Sequence, residues 1–173
     1  GSGIQSNPQS RGVALLQDGI PVNLADGSYI IGVTEAQAAH LVEIFKGSNG
    51  LEYGSSTLGG ALNFVTKNGY YASPLNVKLE GGSFSYFNGS ISSGFNKGKN
   101  DVFVSGSYNR SNGFRTYNSS ERYNITANIG RRFTDKFESR LYLNYTDLSF
   151  DIPGPLTIAQ LLEDPRQING APS

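Results

Sequence analysis

Beyond Pro74 the chain divides into five segments in which apolar and polar residues alternate, and no other feature limits its possible folds so severely. Leu75, Val77 and Leu79 oppose Asn76, Lys78 and Glu80. Phe87, Ile91 and Phe95 share a face with Gly89 and Ser93. Val102, Val104 and Tyr108 oppose Phe103, Ser105, Ser107 and Asn109. Tyr123, Ile125, Ala127 and Ile129 oppose Asn124, Thr126 and Asn128, and Phe137, Leu141, Leu143 and Tyr145 oppose Glu138, Arg140, Tyr142 and Asn144. A period of two makes each segment a strand with one apolar face. Each covers about 9 to 12 residues, enough for a tilted strand to cross a bilayer, whereas soluble strands average about 5 or 6.

Connection lengths and aromatic positions fit strands that cross a membrane. If the first segment runs outward, the short links 96–100 and 133–136 become inner turns. The longer stretch 110–122 and the tail 147–173 become outer loops. Phe95, Phe133 and Phe137 then lie near the inner interface, and Phe87, Tyr108, Tyr123 and Tyr145 near the outer one, where ring side chains form girdles. In the tail, Thr157 and Gln160 have capping-box spacing for a helix reaching Leu162 or Glu163, ended by Asp164-Pro165.

Composition removes several classes. No run of about 18 apolar residues occurs, so no helix can span a bilayer, a limit that does not touch barrels. Fourteen basic and fourteen acidic residues give a net charge of zero, without the basic block a nucleic-acid partner would need. Cysteine is absent, so disulfides and thiolate metal sites are excluded. His40 is the single histidine and has no second ligand at metal spacing. Glu43 and Glu52 lack a convergent base or nucleophile, and the glycines of 47–60 lack the Lys-Ser/Thr ending of a phosphate loop. We expect no catalytic residue, no metal site and no cofactor.

The first 72 residues read differently. Asp18-Gly19 between Val13–Leu16 and Ile20–Val22 predicts a hairpin whose second strand is short or at an edge, because Pro21 cannot donate to a ladder. Thr34 and Gln37 have capping-box spacing for a short helix over 35–40. A strand carrying Val42 and Ile44 ends at Lys46. Ser48 can cap one helical turn at 49–53, which Gly54 stops, and residues 61–67 form a strand buried on both faces.

These blocks occur in an ordered set: Arg11-Gly12-Val13, then residues 16–22, then the strand–turn–double-glycine–strand stretch of 43–67. The set resembles the end of the plug and the first barrel strands of TonB-dependent outer-membrane receptors, over nearly the whole chain. Ser2-Gly3-Ile4-Gln5, residues 23–27, residues 81–84 and residues 153–157 look most like the branch that imports ferric citrate and related ferric siderophores. The implied fold class is an α+β plug segment, residues 1–72, followed by antiparallel strands of an incomplete transmembrane β-barrel, residues 73–173, with an outer loop at 147–173. The resemblance also implies a location in the outer membrane of a Gram-negative bacterium and outer-membrane lipid around the wall. It implies a ferric siderophore or ferric citrate as transported ligand, and energy from the TonB complex acting on a segment this chain lacks. The chain opens without a signal peptide and reads as an interior fragment.

By the same resemblance, Gln5, Ser6, Asn7, Asp26, Ser28 and Tyr29 stand at plug apices, and Arg115, Tyr117 and Asn118 in the first long loop, as ligand contacts. Arginine and tyrosine suit an anionic chelate through charge-assisted hydrogen bonds and stacking. Lys46 occupies the place of an arginine that latches plug to barrel in the family, keeping the charge without the two-pronged donor. Two alternatives stay open: a receptor for another cargo, such as a cobalamin or a glycan, and a surface adhesin or soluble β-rich binding module.

Overall fold

The computed structural model describes residues 9–10, 12–30, 32–54 and 59–168. Its strands are β1 (Gln9–Ser10), β2 (Val13–Gln17), β3 (Ile20–Pro21), β4 (Tyr29–Ile30), β5 (Ala39–Lys46), β6 (Gly60–Thr66), β7 (Asn76–Gly81), β8 (Phe87–Lys97), β9 (Asn100–Ser111), β10 (Ser120–Thr134) and β11 (Phe137–Phe150), followed by helix α1 (Ile158–Glu163). They form an N-terminal unit and a five-stranded wall.

The N-terminal unit is a mixed sheet in the order β3-β2-β6-β5, beside the small β1–β4 pair. Asp18 and Gly19 both take positive φ, 54° and 80°, as a tight hairpin turn of right-handed strands requires. Asp18 is pinned there because its carboxylate accepts from the Thr66 amide at 2.7 Å and the Thr66 hydroxyl at 2.6 Å. β3 is a two-residue edge strand, as Pro21 demands. β2 pairs parallel to β6 and is buried along its length. Val13 and Leu15 pack with Tyr29 on one face, and Ala14 and Leu16 with Ala61 on the other. Asn63 interrupts the apolar run of β6, and both ends of its amide are used: it donates to Glu43 at 2.7 Å and accepts from the Gly19 amide at 3.0 Å.

Two local expectations change. Thr34 does not cap a helix over 35–40. Instead, Glu35 is the N-cap of a three-residue 3₁₀ turn, Ala36–Ala38, accepting from the Gln37 amide at 2.9 Å. The turn is short because β5 takes over at Ala39, and the Gln37 side chain is drawn away to the wall. The turn before Gly54 is also 3₁₀, over Gly47–Tyr53, and the side chain of Ser48 lies outside the described residues. Elsewhere the tail capping box forms as its spacing predicts: the Gln160 amide donates to the Thr157 hydroxyl, and the Thr157 amide donates to the Gln160 side chain.

The wall is a continuous antiparallel sheet, β7-β8-β9-β10-β11. Its strands have 6, 11, 12, 15 and 14 residues, so the first is shorter and the last two longer than the alternation alone predicts. The register aligns the residues of the mainly apolar face in rows, among them Phe95–Val102–Ile129–Leu141 and Ser93–Val104–Ala127–Leu143. That face is open: Leu79 and Leu141 are each 71% exposed, and Ile125 and Leu143 are also exposed. The opposite face is polar, and Asn88, Asn124, Thr126 and Asn128 are buried on it by the N-terminal unit and by each other. Aromatic rings bracket the open face. Phe87, Tyr108 and Tyr123 contact one another in sequence near the end bearing the long loops, and Phe133 meets Phe137 near the tight turns. From Tyr123 to Phe133 is about 33 Å along β10, or about 23 Å across a membrane at the usual strand tilt.

Candidate functional site

The polar face of the wall holds the N-terminal unit by hydrogen bonds from four of its five strands. Gln37 donates to Asn88 at 3.1 Å and accepts from the Ser90 hydroxyl at 3.0 Å, both on β8. Ser107 on β9 donates to Glu35 at 2.5 Å, and Arg122 on β10 forms an ion pair with the same carboxylate at 3.2 Å. On β11, Thr146 donates to the Val33 carbonyl at 3.0 Å and Asn144 accepts from Gln17 at 2.9 Å. Glu35 is almost fully buried, and burying a carboxylate is costly unless it is paired and hydrogen-bonded. Here the capped amide, the Ser107 hydroxyl and the Arg122 guanidinium all serve it.

A second attachment holds the connection between the two units. Asp101 and Arg140 make a bidentate pair, with both oxygen–nitrogen distances 2.7 Å, and Asp101 also accepts from the Gly69 amide at 2.9 Å. Arg140 donates further to Asn128 at 2.7 Å, and Asn128 donates to the Lys67 carbonyl at 2.7 Å. Asn96 donates to the Gly69 carbonyl, and the Gly94 amide to the Ser73 carbonyl. Gly69 has no alternative here: a Cβ would lie 2.2 Å from the Phe95 carbonyl oxygen.

Between the N-terminal unit and the loop end of the wall lies a cavity of about 370 Å³, lined by Ile30, Gly32, Asn109, Ser120, Arg122, Leu148 and Phe150. Its volume falls within the range typical of small-molecule sites. Gly32 turns the chain at its edge with φ of 104°, and its carbonyl accepts from Arg122 at 3.3 Å. Arg122 thus lines the cavity while its guanidinium reaches back to Glu35. The arrangement offers one cation, an amide, a hydroxyl and an aromatic ring to an anionic or planar ligand. It offers no nucleophile with a base, and no cluster of metal-ligating side chains occurs among the described residues.

The residues expected from sequence fall into separate places. Gln5, Ser6 and Asn7 lie outside the described residues. Asp26 closes a turn by accepting from the Ser28 amide at 3.0 Å and the Ser28 hydroxyl at 2.6 Å. Ser28 and Tyr29 are buried in the N-terminal unit, and the Tyr29 hydroxyl finds no hydrogen-bond partner among the described residues. Arg115 binds the neighbouring loop, donating to the carbonyls of Pro153, Gly154 and Gln167 at 3.2, 2.7 and 2.8 Å. Tyr117 is exposed with φ of 57°, and Asn118 lines a separate cavity of about 410 Å³ with Phe150 and Ile152. Lys46 is exposed at the end of β5. Arg122 and Glu35 did not stand out in the sequence. The available signal was a charged residue in phase with Asn124, Thr126 and Asn128.

The N-terminal sheet is thus docked by polar groups onto one face of a long-stranded antiparallel wall whose other face is apolar and bare. No family model matches the sequence. Among solved structures, the chain is similar to the pyoverdine outer membrane receptor FpvA of Pseudomonas aeruginosa PAO1, with 18% identity and a TM-score of 0.66 over 78% of this chain and 20% of that one. It is similar to the siderophore receptor PirA of Acinetobacter baumannii, with 16% identity and a TM-score of 0.59 over 82% of this chain and 25% of that one. It is also similar to the ferric-catecholate import receptor Fiu of E. coli K12, with 24% identity and a TM-score of 0.59 over 80% and 20%. The chain spans a quarter or less of each, and at these identities the likeness establishes the fold. The matched proteins are receptors, not enzymes.

Proposed function

We propose that this chain is part of a TonB-dependent receptor in the outer membrane of a Gram-negative bacterium, importing a ferric siderophore or ferric citrate. In this reading residues 1–72 are the end of the plug, and residues 73–173 are the first strands of a barrel completed by further strands. One observation carries it: the wall buries its polar face against the N-terminal unit and leaves a bare apolar face bracketed by aromatic rows. That is the reverse of a soluble sheet, which buries its apolar face, and it is the arrangement a bilayer requires.

The chelate would enter from the loop end and meet Arg122 and Phe150 in the 370 Å³ cavity, and the family resemblance adds Gln5, Ser6, Asn7, Asp26, Arg115, Tyr117 and Asn118 as further candidate contacts. A guanidinium beside a ring suits an anionic iron complex. Energy would come from the TonB complex, and Lys46 would latch plug to barrel. The test is iron-55 uptake by cells expressing the full-length gene in a receptor-deficient host. Uptake of ferric citrate or a ferric siderophore that stops when TonB is deleted is expected. A full-length product that remains in the soluble fraction would refute the proposal.

A further inference from the structure

Two cavities of opposite character meet on the bare face of the wall, and neither belongs to the chelate site. The lower is an apolar groove of about 320 Å³ walled by Val77, Leu79, Ile91 and Tyr108, with Gly106 at its floor. A Cβ at Gly106 would meet nothing within 4 Å, so the groove is open there. The nearby glycine on β8, Gly89, is covered, since the Phe87 ring lies 3.2 Å from where its Cβ would be. The upper cavity, about 270 Å³, is a polar cleft lined by Tyr108, Arg110, Asn112, Glu121 and Ser149 among others. Tyr108 belongs to both. Its ring closes the head of the groove, while its hydroxyl donates to Glu121 at 2.7 Å, beside the Tyr123 hydroxyl at 2.9 Å.

We infer that the two cavities together form a site for one lipid molecule of the loop-side leaflet. Its acyl chain lies over Gly106, and its phosphate- and hydroxyl-bearing headgroup lies in the cleft above. The reasoning is one of matched polarity along a single line. Hydrocarbon fits a groove with apolar walls, and a phosphate is the natural partner of Arg110, while Asn112, Glu121 and Ser149 can bind sugar hydroxyls. The division between groove and cleft falls at the Tyr108–Tyr123 ring pair, where such rings mark the boundary between hydrocarbon and headgroups. A phosphorylated glycolipid satisfies both halves. The inference rests on the membrane reading above.

The test reconstitutes the full-length gene product in phosphatidylethanolamine vesicles doped with lipid A. Flotation measures insertion, and native mass spectrometry of the extracted protein measures retained lipid A. Gly106→Leu fills the groove, and Arg110→Gln removes the phosphate contact. Each should insert normally yet retain about tenfold less lipid A, whereas Leu141→Ala, on the same face but outside the site, should retain it fully. If Gly106→Leu inserts poorly, Arg110→Gln alone decides. Variants that float with the vesicles and keep lipid A at the wild-type level would overturn the lipid site while leaving the membrane reading intact. A wild-type protein that does not float would overturn both.

Discussion

Placing arginine at Val104 distinguishes a bilayer from water around the wall. Val104 is half-exposed on the bare face, between Ser93 on β8 and Ala127 on β10. Ala127 lies close to midway between Tyr123 and Phe133 on β10, so this row is close to the bilayer midplane. Small neighbours leave room for the longer side chain, and steric cost therefore contributes little. In water, a substitution at an exposed position of this kind changes stability by about 0.5 kcal/mol or less. In lipid, arginine at the midplane of a barrel costs about 2 to 4 kcal/mol, which lowers the folding constant about 30- to 900-fold. Denaturant titration of the full-length protein in phospholipid vesicles measures the difference, with Ser149→Arg at the loop end as a depth control costing about 0 to 1 kcal/mol. A Val104→Arg loss no greater than that of the control would refute the assignment of this face to hydrocarbon.

Other outcomes follow from the contacts between the two units. Asp101→Ala leaves the largely buried Arg140 with the partly exposed Glu138 as its remaining counter-charge and frees the Gly69 amide, so it should destabilise by about 1 to 3 kcal/mol and open residues 67–75 to protease. Gly94→Val should cost at least about 1 to 3 kcal/mol in the same titration, because even a Cβ there would lie 2.3 Å from that of Ala72. Arg122→Gln should weaken binding of an anionic ferric chelate at least about tenfold in an equilibrium titration with the intact protein. Thr157→Ala removes the capping box of α1, and hydrogen exchange of the Leu161 and Asp164 amides should speed up as the six-residue helix loses about 1 kcal/mol.

The wall was the most legible part of the chain, because alternation is a local signal and every strand carries it. Its facing was legible too: the residues read as polar, Asn124, Thr126 and Asn128 among them, are the buried ones. The Asp18–Gly19 hairpin was equally local. The helical signals were weaker where distant partners intervene. Thr34 and Gln37 have capping spacing, but Gln37 reaches Asn88 and Ser90, more than fifty residues away, and Glu35 takes over as the cap. Thr157 and Gln160 have no such competitor, and their box forms. The candidate site was the least legible. Arg115 has the chemistry of an anion contact, yet its donors go to carbonyls that no local pattern reveals, while the cavity cation is Arg122, the third residue of β10, which the alternation left at the end of the stretch 110–122.

The strap between the units makes its hydrogen bonds to the wall through its main chain, by the carbonyls of Lys67, Gly69, Ser73 and Pro74 and the amide of Gly69. Attachment through peptide groups places little demand on side-chain identity. Over evolutionary time, the strap is free to drift in sequence as long as the length is kept, position 69 remains glycine, the side chain facing Gly94 stays small, and positions 70 and 71 keep rings for Arg132 and His40. A strap transplanted from a distant relative under those four conditions should seat without any compensating change in the strands that receive it.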